Sequence, residues 1–223
     1  MNTNRSNESN PFIVDSFANW ICIKKQFEME NKLCPKKTIN IKGLPNLQDA
    51  KKAGTIYSLE CMLIITEGVS AKNLVNDGFS VGLDKFGIFS LRGTMLNVRD
   101  ASDSQIMEND EIKNLATILG LKYDLKYTID EIKSLRYGKV IIATDSDLDG
   151  SHIAGLILNF FHFLWPSLIK LEYIERIITP IIKVTNGSFK RSFYSLPEFE
   201  EWKHQTPNDE SYNIKYFKGI FFN

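Results

Sequence analysis

With 223 residues, the chain is long enough for one generous domain, or for one domain with an appendage. Its 27 basic residues balance its 27 acidic residues, so the overall charge predicts no polyanionic partner, and any such partner has to be inferred from local patches. The three cysteines lie far apart without a C-x-x-C pair, which favours buried thiols in a reducing compartment over disulfides or a zinc site. The most apolar segment, GLILNFFHFLW, is too short to span a bilayer, so we expect a soluble, intracellular protein with no membrane partner.

The N-terminal segment is predicted to lie outside the main sheet. Residues 1–16 are polar and rich in Asn and Ser, which predicts a disordered lead-in and not a signal peptide. Apolar spacing from Phe12 to about Phe27 predicts a helix, and we assign residues 17–61 to an N-terminal helix and basic extension. Residues 24–52 hold eight lysines against three acids, and this basic patch is either a solvated face or a contact for a polyanion.

Strand and helix patterns then alternate through residues 62–219. Short apolar runs predict strands at MLIIT (62–66), GIFSLRG (87–93), VIIAT (140–144), RIITPIIKVT (176–185, broken at Pro180) and FKRSFYS (189–195). Helical spacing and capping residues predict helices after Ser70, over EIKNLATILGL (111–121), over IDEIKSLRY (129–137) behind a Thr128–Glu131 capping box, between the acidic loop and Pro166, and after Ser195. This alternation is typical of an α/β fold with a parallel sheet flanked by helices, where ligands bind beyond the carboxyl ends of strands.

An acidic loop stands out at residues 145–149, where Asp145, Asp147 and Asp149 alternate with other residues directly after a predicted buried strand. The run DSDLDG matches the start of an EF-hand calcium loop, but position twelve is Leu156 instead of glutamate, and a strand precedes the loop where an EF-hand has a helix. A solvated turn is the second reading, although three carboxylates so close together repel one another. A cation would neutralise them, and oxygen donors without Cys or paired His favour Mg²⁺ or Mn²⁺ over zinc.

Glu67, in ITEGVSA, supplies a second carboxylate at the end of a strand. If MLIIT and VIIAT are neighbours in one parallel sheet, their carboxyl ends bring Glu67 close to Asp145 and Asp147. One Glu and two Asp at adjacent strand ends are typical of a magnesium centre for phosphodiester chemistry, because such a metal stabilises the attacking and leaving oxygens.

The motifs E-G-x-S-A and D-x-D-x-D-G-S-H, each after a strand, resemble those of the Toprim domain of type IIA DNA topoisomerases. The resemblance extends through GLPNLQDAKKAGT, FGIFSLRGTMLNVRDAS, QIMEND, LRYGKVIIATD and FYSLPEFEEWK, from roughly Phe17 to Gly219. The later segments resemble the eukaryotic and viral enzymes more than the bacterial one. We therefore expect a Toprim domain with a C-terminal extension over residues 62–219 and a divergent tail over residues 220–223.

The resemblance implies catalytic and metal-binding roles for the acidic residues. Glu67 and Asp145 would hold the catalytic Mg²⁺, Asp145 and Asp147 a second ion, and Asp149 would be an outer or alternative ligand, with Mn²⁺ as a substitute. It also implies DNA contacts, which are Arg92, Asn97, Lys215 and Lys218. The tyrosine and ATPase domains of the family lie outside these residues, so the resemblance implies a fragment, a truncated form or one piece of a split enzyme.

The wider setting is implied in the same way. The family enzyme is a homodimer that cleaves and reseals double-stranded DNA, and ATP enters only through another domain. Its cellular members work in the nucleus, and a viral member would work in the cytoplasm. No localisation signal in this sequence bears on the choice.

Two departures from the family pattern touch the predicted site. Val69 replaces the family's Asp in EGDSA, which removes one acid beside the site, and Thr94 replaces a DNA-contacting Lys after Leu91-Arg92-Gly93. The loss of that lysine should weaken a phosphate contact. These changes motivate an alternative hypothesis, a non-catalytic DNA-binding module that retains the Toprim fold. A third hypothesis, a stand-alone Toprim nuclease, is disfavoured because such an enzyme needs neither KYFKG nor FYSLPEFEEWK.

Overall fold

The computed structural model describes residues 41, 43–44, 46–68, 84–206 and 211–217. Several sequence predictions lie outside these residues: the lead-in, the helix from Phe12 to Phe27, most of the basic extension, the helix after Ser70, Val69, Lys218 and the tail. Within the described part of the chain, no helix is long and apolar enough to cross a membrane.

The main sheet has five strands in the order β1-β3-β2-β4-β5. The strands are β1 (Leu47–Gln48), β2 (Met62–Thr66), β3 (Phe86–Ser90), β4 (Lys139–Ala143) and β5 (Ile174–Arg176). Strands β3, β2, β4 and β5 pair in parallel, while β1 pairs antiparallel with β3 at the edge. The predicted α/β fold with a parallel sheet flanked by helices is confirmed. Strand β1 was not predicted, and β5 overlaps a predicted strand only at Arg176.

Helices cover the sheet because their apolar positions repeat at helical spacing. They are α1 (Asp103–Glu108), α2 (Asp110–Leu119), α3 (Leu148–Leu164) and α4 (Pro166–Lys170). Asn109 caps α2 by accepting a hydrogen bond from the N–H of Ile112 at 3.0 Å, and Gly120 ends it with a φ of 72° that glycine adopts readily. The central strands β2 and β4 and the inner faces of α2 and α3 form one continuous apolar core.

The helix predicted over residues 129–137 was wrong. Thr128 and Glu131 do form reciprocal hydrogen bonds, with the N–H of Thr128 donating to Glu131 at 2.9 Å, but they open only a single 3-10 turn, Glu131–Ser134. The turn ends at its C-cap Leu135, three residues before Gly138, where a Cβ would lie 2.2 Å from the carbonyl oxygen of Leu59. The chain turns early so that Arg136 and Tyr137 can enter the core, where neither side chain is exposed to solvent.

A second, smaller sheet follows the first along the chain. It contains β6 (Ile182–Asn186), β7 (Phe189–Phe193) and β8 (Asn213–Tyr216) in the antiparallel order β7-β6-β8. Helix α5 (Leu196–Gln205), capped by Ser195 as predicted, packs its Phe199 and Trp202 against Phe193 of this sheet. Strand β8 was not predicted, because its residues NIKY show no clear apolar alternation.

Two tryptophans and one cysteine also lie in the interior. Trp165 and Trp202 are buried, whereas Trp20 lies outside the described residues. Cys61 is a buried free thiol, as the cysteine spacing predicted, and Cys22 and Cys34 lie outside the described residues.

Candidate metal centre

The two acidic motifs meet because their strands are neighbours. β2 and β4 pair in parallel with Thr66 opposite Ala143, so both chains leave the sheet at the same edge. The next residues bring Glu67 to the acidic loop, where its Oε2 accepts a hydrogen bond from the backbone N–H of Asp145 at 3.4 Å. The predicted neighbourhood of Glu67 and Asp145 is thus confirmed.

The acidic loop folds tightly into the start of α3. The Oδ1 of Asp147 accepts a hydrogen bond from the N–H of Gly150 at 2.8 Å and so caps the helix. A Cβ at Gly150 would lie 2.2 Å from the carbonyl oxygen of Asp145, so the loop closes only because this residue is glycine. Asp145 is half-buried and Asp147 and Asp149 are exposed, which leaves carboxylate oxygens accessible to a solute.

The carboxylates of the site influence one another electrostatically. Burial raises the pKa of Glu67, the hydrogen bond from Asp145 lowers it, and the negative charges of Asp145, Asp147 and Asp149 raise it further. Among the described residues, no three acidic, imidazole or thiol side chains meet in a ready-made metal-binding arrangement. One oxygen of Glu67 accepts a backbone N–H, and one oxygen of Asp147 caps α3.

A cleft of about 250 Å³ opens beside Glu67. One wall is the loop after β3, with Gly93 and Thr94, and the other is the first turn of α3, with Asp149 and His152. The position at which the family has a DNA-contacting lysine therefore faces the acidic loop. His152 lines this cleft and is exposed.

Arg92 is exposed on the same loop, and Glu111 of α2 supports that loop from below. The Glu111 carboxylate accepts a hydrogen bond from the backbone N–H of Arg92, while its Oε2 is buried without a partner among the described residues. Burial therefore raises the pKa of Glu111 above its ordinary value of 4.5, and the hydrogen bond and charge of Arg92 lower it only in part. No local sequence pattern indicates this support.

Glu111→Gln should stabilise the fold at neutral pH. The folded-state pKa of Glu111 is raised, so its protonated form contributes to the free energy of unfolding below the unfolded-state pKa. That contribution is lost as the pH rises through the folded-state pKa. Urea unfolding at pH 4 and pH 7.5 should show a gain for the variant only at the higher pH. The control Glu108→Gln, at an exposed carboxylate of α1, should show no such pH-dependent gain, and equal stability of Glu111→Gln and wild type at pH 7.5 would contradict the prediction.

Neither Asn97 nor Lys215 lines the cleft. The Oδ1 of Asn97 accepts a hydrogen bond from Asn159 at 2.7 Å, and its Nδ2 donates to Asp100 at 2.6 Å, so this side chain is largely occupied within the protein. Lys215 lies on β8 of the small sheet, with its amine 5.2 Å from the ring of Phe217. Lys218 lies outside the described residues.

Models of two protein families match this sequence. Residues 62–181 match the Toprim domain, and residues 177–223 match the C-terminal associated domain of TOPRIM. DNA topoisomerase 2-alpha of Mus musculus is 52% identical over 210 residues, covering 93% of this chain and 14% of that relative. DNA topoisomerase 2-beta of Mus musculus is 50% identical over 214 residues, covering 95% of this chain and 13% of that relative.

A solved structure agrees with these relatives. The crystal structure of the Plasmodium falciparum topoisomerase II DNA-binding, cleavage and re-ligation domain superposes with a TM-score of 0.71 at 50% identity, covering 81% of this chain and 25% of that one. The chain thus spans about one seventh of the length of the curated relatives it matches, which is 14% for the first of them. It belongs to the Toprim family, and it is homologous to the Toprim region of eukaryotic DNA topoisomerase II.

Proposed function

We propose that this chain is the metal-binding Toprim portion of a type IIA DNA topoisomerase and supports Mg²⁺-dependent cleavage and religation of double-stranded DNA. The observation that carries the proposal is the parallel pairing of β2 with β4, which brings Glu67 to within hydrogen-bond distance of Asp145. Homology to a DNA-binding, cleavage and re-ligation domain supports it.

The donor set fits a hard divalent cation. Four carboxylates lie near enough at one sheet edge for their charges to interact, without a thiol in the described site, and such oxygen ligands suit Mg²⁺ or Mn²⁺. Glu67 and Asp145 would hold one ion, Asp145 and Asp147 a second, and Asp149 would act as an outer or alternative ligand. The mutual repulsion of these carboxylates is what a bound cation would relieve.

The chain's own residues would shape the site for a DNA backbone. When bound, Mg²⁺ would stabilise negative charge on the attacking and leaving oxygens of the phosphodiester. The cleft between the Ser90–Thr94 loop and α3 offers a path past Glu67, and exposed Arg92 on that loop would contact phosphate. Lys215 and Lys218 are proposed as further DNA contacts, and Asn97 would have to release Asn159 or Asp100 to join them.

The setting of this function follows the eukaryotic relatives and is likewise proposed. The full enzyme would be a homodimer in the nucleus, or in the cytoplasm if viral, and would contain the remaining topoisomerase II domains. ATP would act through one of those domains. We also propose that the boundaries inferred from sequence hold, with the Toprim domain and its extension over residues 62–219.

Mn²⁺ titration tests the metal site. Asp145→Asn should weaken binding at least about tenfold, because it removes the one carboxylate shared by both ion positions. Binding is measured by electron paramagnetic resonance of free Mn²⁺, with circular dichroism to verify folding. The control Asp130→Asn removes an exposed carboxylate paired with Lys133 and should bind as wild type. If Asp145→Asn also binds as wild type, the metal site is wrong.

A second candidate is a non-catalytic DNA-binding module, which the position of Thr94 favours. Thr94 lines the cleft beside Glu67, where the family pattern places a lysine. Supplying the remaining topoisomerase domains in trans separates the two functions. Supercoil relaxation that depends on Asp145 supports the enzyme, whereas salt-sensitive duplex binding without relaxation supports the binding module.

A further inference from the structure

Arg176 ends β5 beside the point where the acidic loop leaves the sheet. It pairs with Ile142 of β4, and the N–H of Ile177 donates to the carbonyl of Ile142 at 2.9 Å. These contacts fix the backbone of Arg176 beside Ile142, which lies two residues before Thr144 in the chain. The side chain is partly buried, and its Nε is buried without a partner among the described residues, so the guanidinium lies against the protein.

The guanidinium bridges the two ends of the acidic loop. Its Nη2 lies 3.4 Å from the Oγ1 of Thr144 and 3.3 Å from the Oγ of Ser151. Thr144 is buried and directly precedes Asp145, whereas Ser151 follows Gly150 in the first turn of α3. One nitrogen therefore ties together the residues on either side of the segment that contains all three aspartates.

A tether at this position would oppose the repulsion among the three aspartates. The three aspartates repel one another, which tends to spread the loop, and Arg176 forms no ion pair with them within the described residues, so it acts through the two hydroxyls. From the other side, Glu67 accepts the N–H of Asp145. The loop is thus held by Glu67 at one flank and by Arg176 at the other.

We propose that Arg176 is a positioning residue for the metal centre, holding the ends of the acidic loop at the spacing that lets Asp145 and Asp147 share a divalent cation. The inference rests on the proposed metal site. Outer hydrogen-bond partners of this kind commonly alter metal affinity by about tenfold or more.

The direction of the change in Mn²⁺ affinity distinguishes a positioning role of Arg176 from a purely electrostatic role. Removing a positive charge near a cation site should strengthen cation binding if Coulomb repulsion were its main influence. Arg176→Gln should instead weaken Mn²⁺ binding by about tenfold in the full chain. Arg176→Lys, which keeps one cationic donor, should recover part of the affinity. Thr144→Val, which removes a tethered hydroxyl and leaves the charge unchanged, should also weaken binding.

Control variants distinguish loss of the Arg176 tether from loss of the metal site itself. Arg191→Gln is the matched control, because Arg191 is an exposed cation over the Phe193 ring in the small sheet, and it should bind Mn²⁺ as wild type. If circular dichroism shows that Arg176→Gln does not fold, Mn²⁺ binding by Thr144→Val tests the tether instead. Unchanged or tighter binding in the folded variants, with binding lost in Asp145→Asn, overturns the tether alone. Unchanged binding in Asp145→Asn overturns the metal site.

Discussion

Arg136→Met should lower the free energy of unfolding by about 3 kcal/mol, because it removes one partner of a buried ion pair. The Arg136 side chain is fully buried, and its Nη2 lies 2.5 Å from the Oδ2 of Asp49, whose side chain is 20% exposed. The residual exposure of Asp49 places the loss at the lower end of the range for such pairs.

The cost exceeds one ion pair because Arg136 also satisfies other groups. Its Nη1 donates to the carbonyl of Ile118 at 2.7 Å, near the end of α2. The neighbouring Tyr137 hydroxyl donates to the other Asp49 oxygen at 2.5 Å and accepts the N–H of Ala50 at 3.0 Å. Burial, and then the Asp49 charge, raise the pKa of Tyr137 far above its ordinary value of 10.0, so the phenol remains a donor.

Urea denaturation of Arg136→Met, Asp49→Leu, their double variant and the control Lys133→Met would measure this network. Lys133→Met breaks the exposed pair with Asp130 in the same segment and should cost less than about 1 kcal/mol. The double variant Arg136→Met/Asp49→Leu should be more stable than the sum of its single changes predicts, because it leaves no unpaired charge. A loss for Arg136→Met equal to that of Lys133→Met would show that the buried pair contributes nothing.

The part of the site that follows from strand order could be predicted from sequence. MLIIT and VIIAT are short continuous apolar runs, and runs of this kind belong to the centre of a parallel sheet, where their ends share an edge. Glu67 and Asp145 follow those runs directly, so local pattern and sheet geometry were sufficient. The capping of α3 by Asp147 depends on the same local chemistry.

The contacts that depend on tertiary packing could not be predicted. Arg136 and Asp49 are 87 residues apart, and a lone arginine after a helix-like pattern reads as an exposed residue. The same packing overrode the capping box at Thr128, because a longer helix would have kept Arg136 and Tyr137 out of the core. The position of Arg176 beside the acidic loop could not be predicted either, because no local sequence pattern indicates that β5 pairs with β4.

Gly150→Ala should cost about 2 kcal/mol of stability and weaken Mn²⁺ binding at least about tenfold. A Cβ at Gly150 would lie 2.2 Å from the carbonyl oxygen of Asp145 and 2.8 Å from its nitrogen. Both atoms belong to the backbone and cannot rotate away, so the acidic loop itself has to move. That movement displaces Asp145 from Glu67 and loosens the Asp147 cap on the N–H of Gly150.

Gly155→Ala is the matched control, because it makes the same substitution in the same helix. A Cβ at Gly155 would meet no atom within 4 Å, so the variant should gain up to about 1 kcal/mol from helix propensity and bind Mn²⁺ as wild type. Thermal unfolding of the two variants should therefore shift in opposite directions, whereas Mn²⁺ binding should weaken only in Gly150→Ala. Alanine favours helix at both positions, so a loss of stability and Mn²⁺ binding confined to Gly150→Ala would locate the constraint in the acidic loop. Equal behaviour of the two variants would show that the loop tolerates a side chain at residue 150.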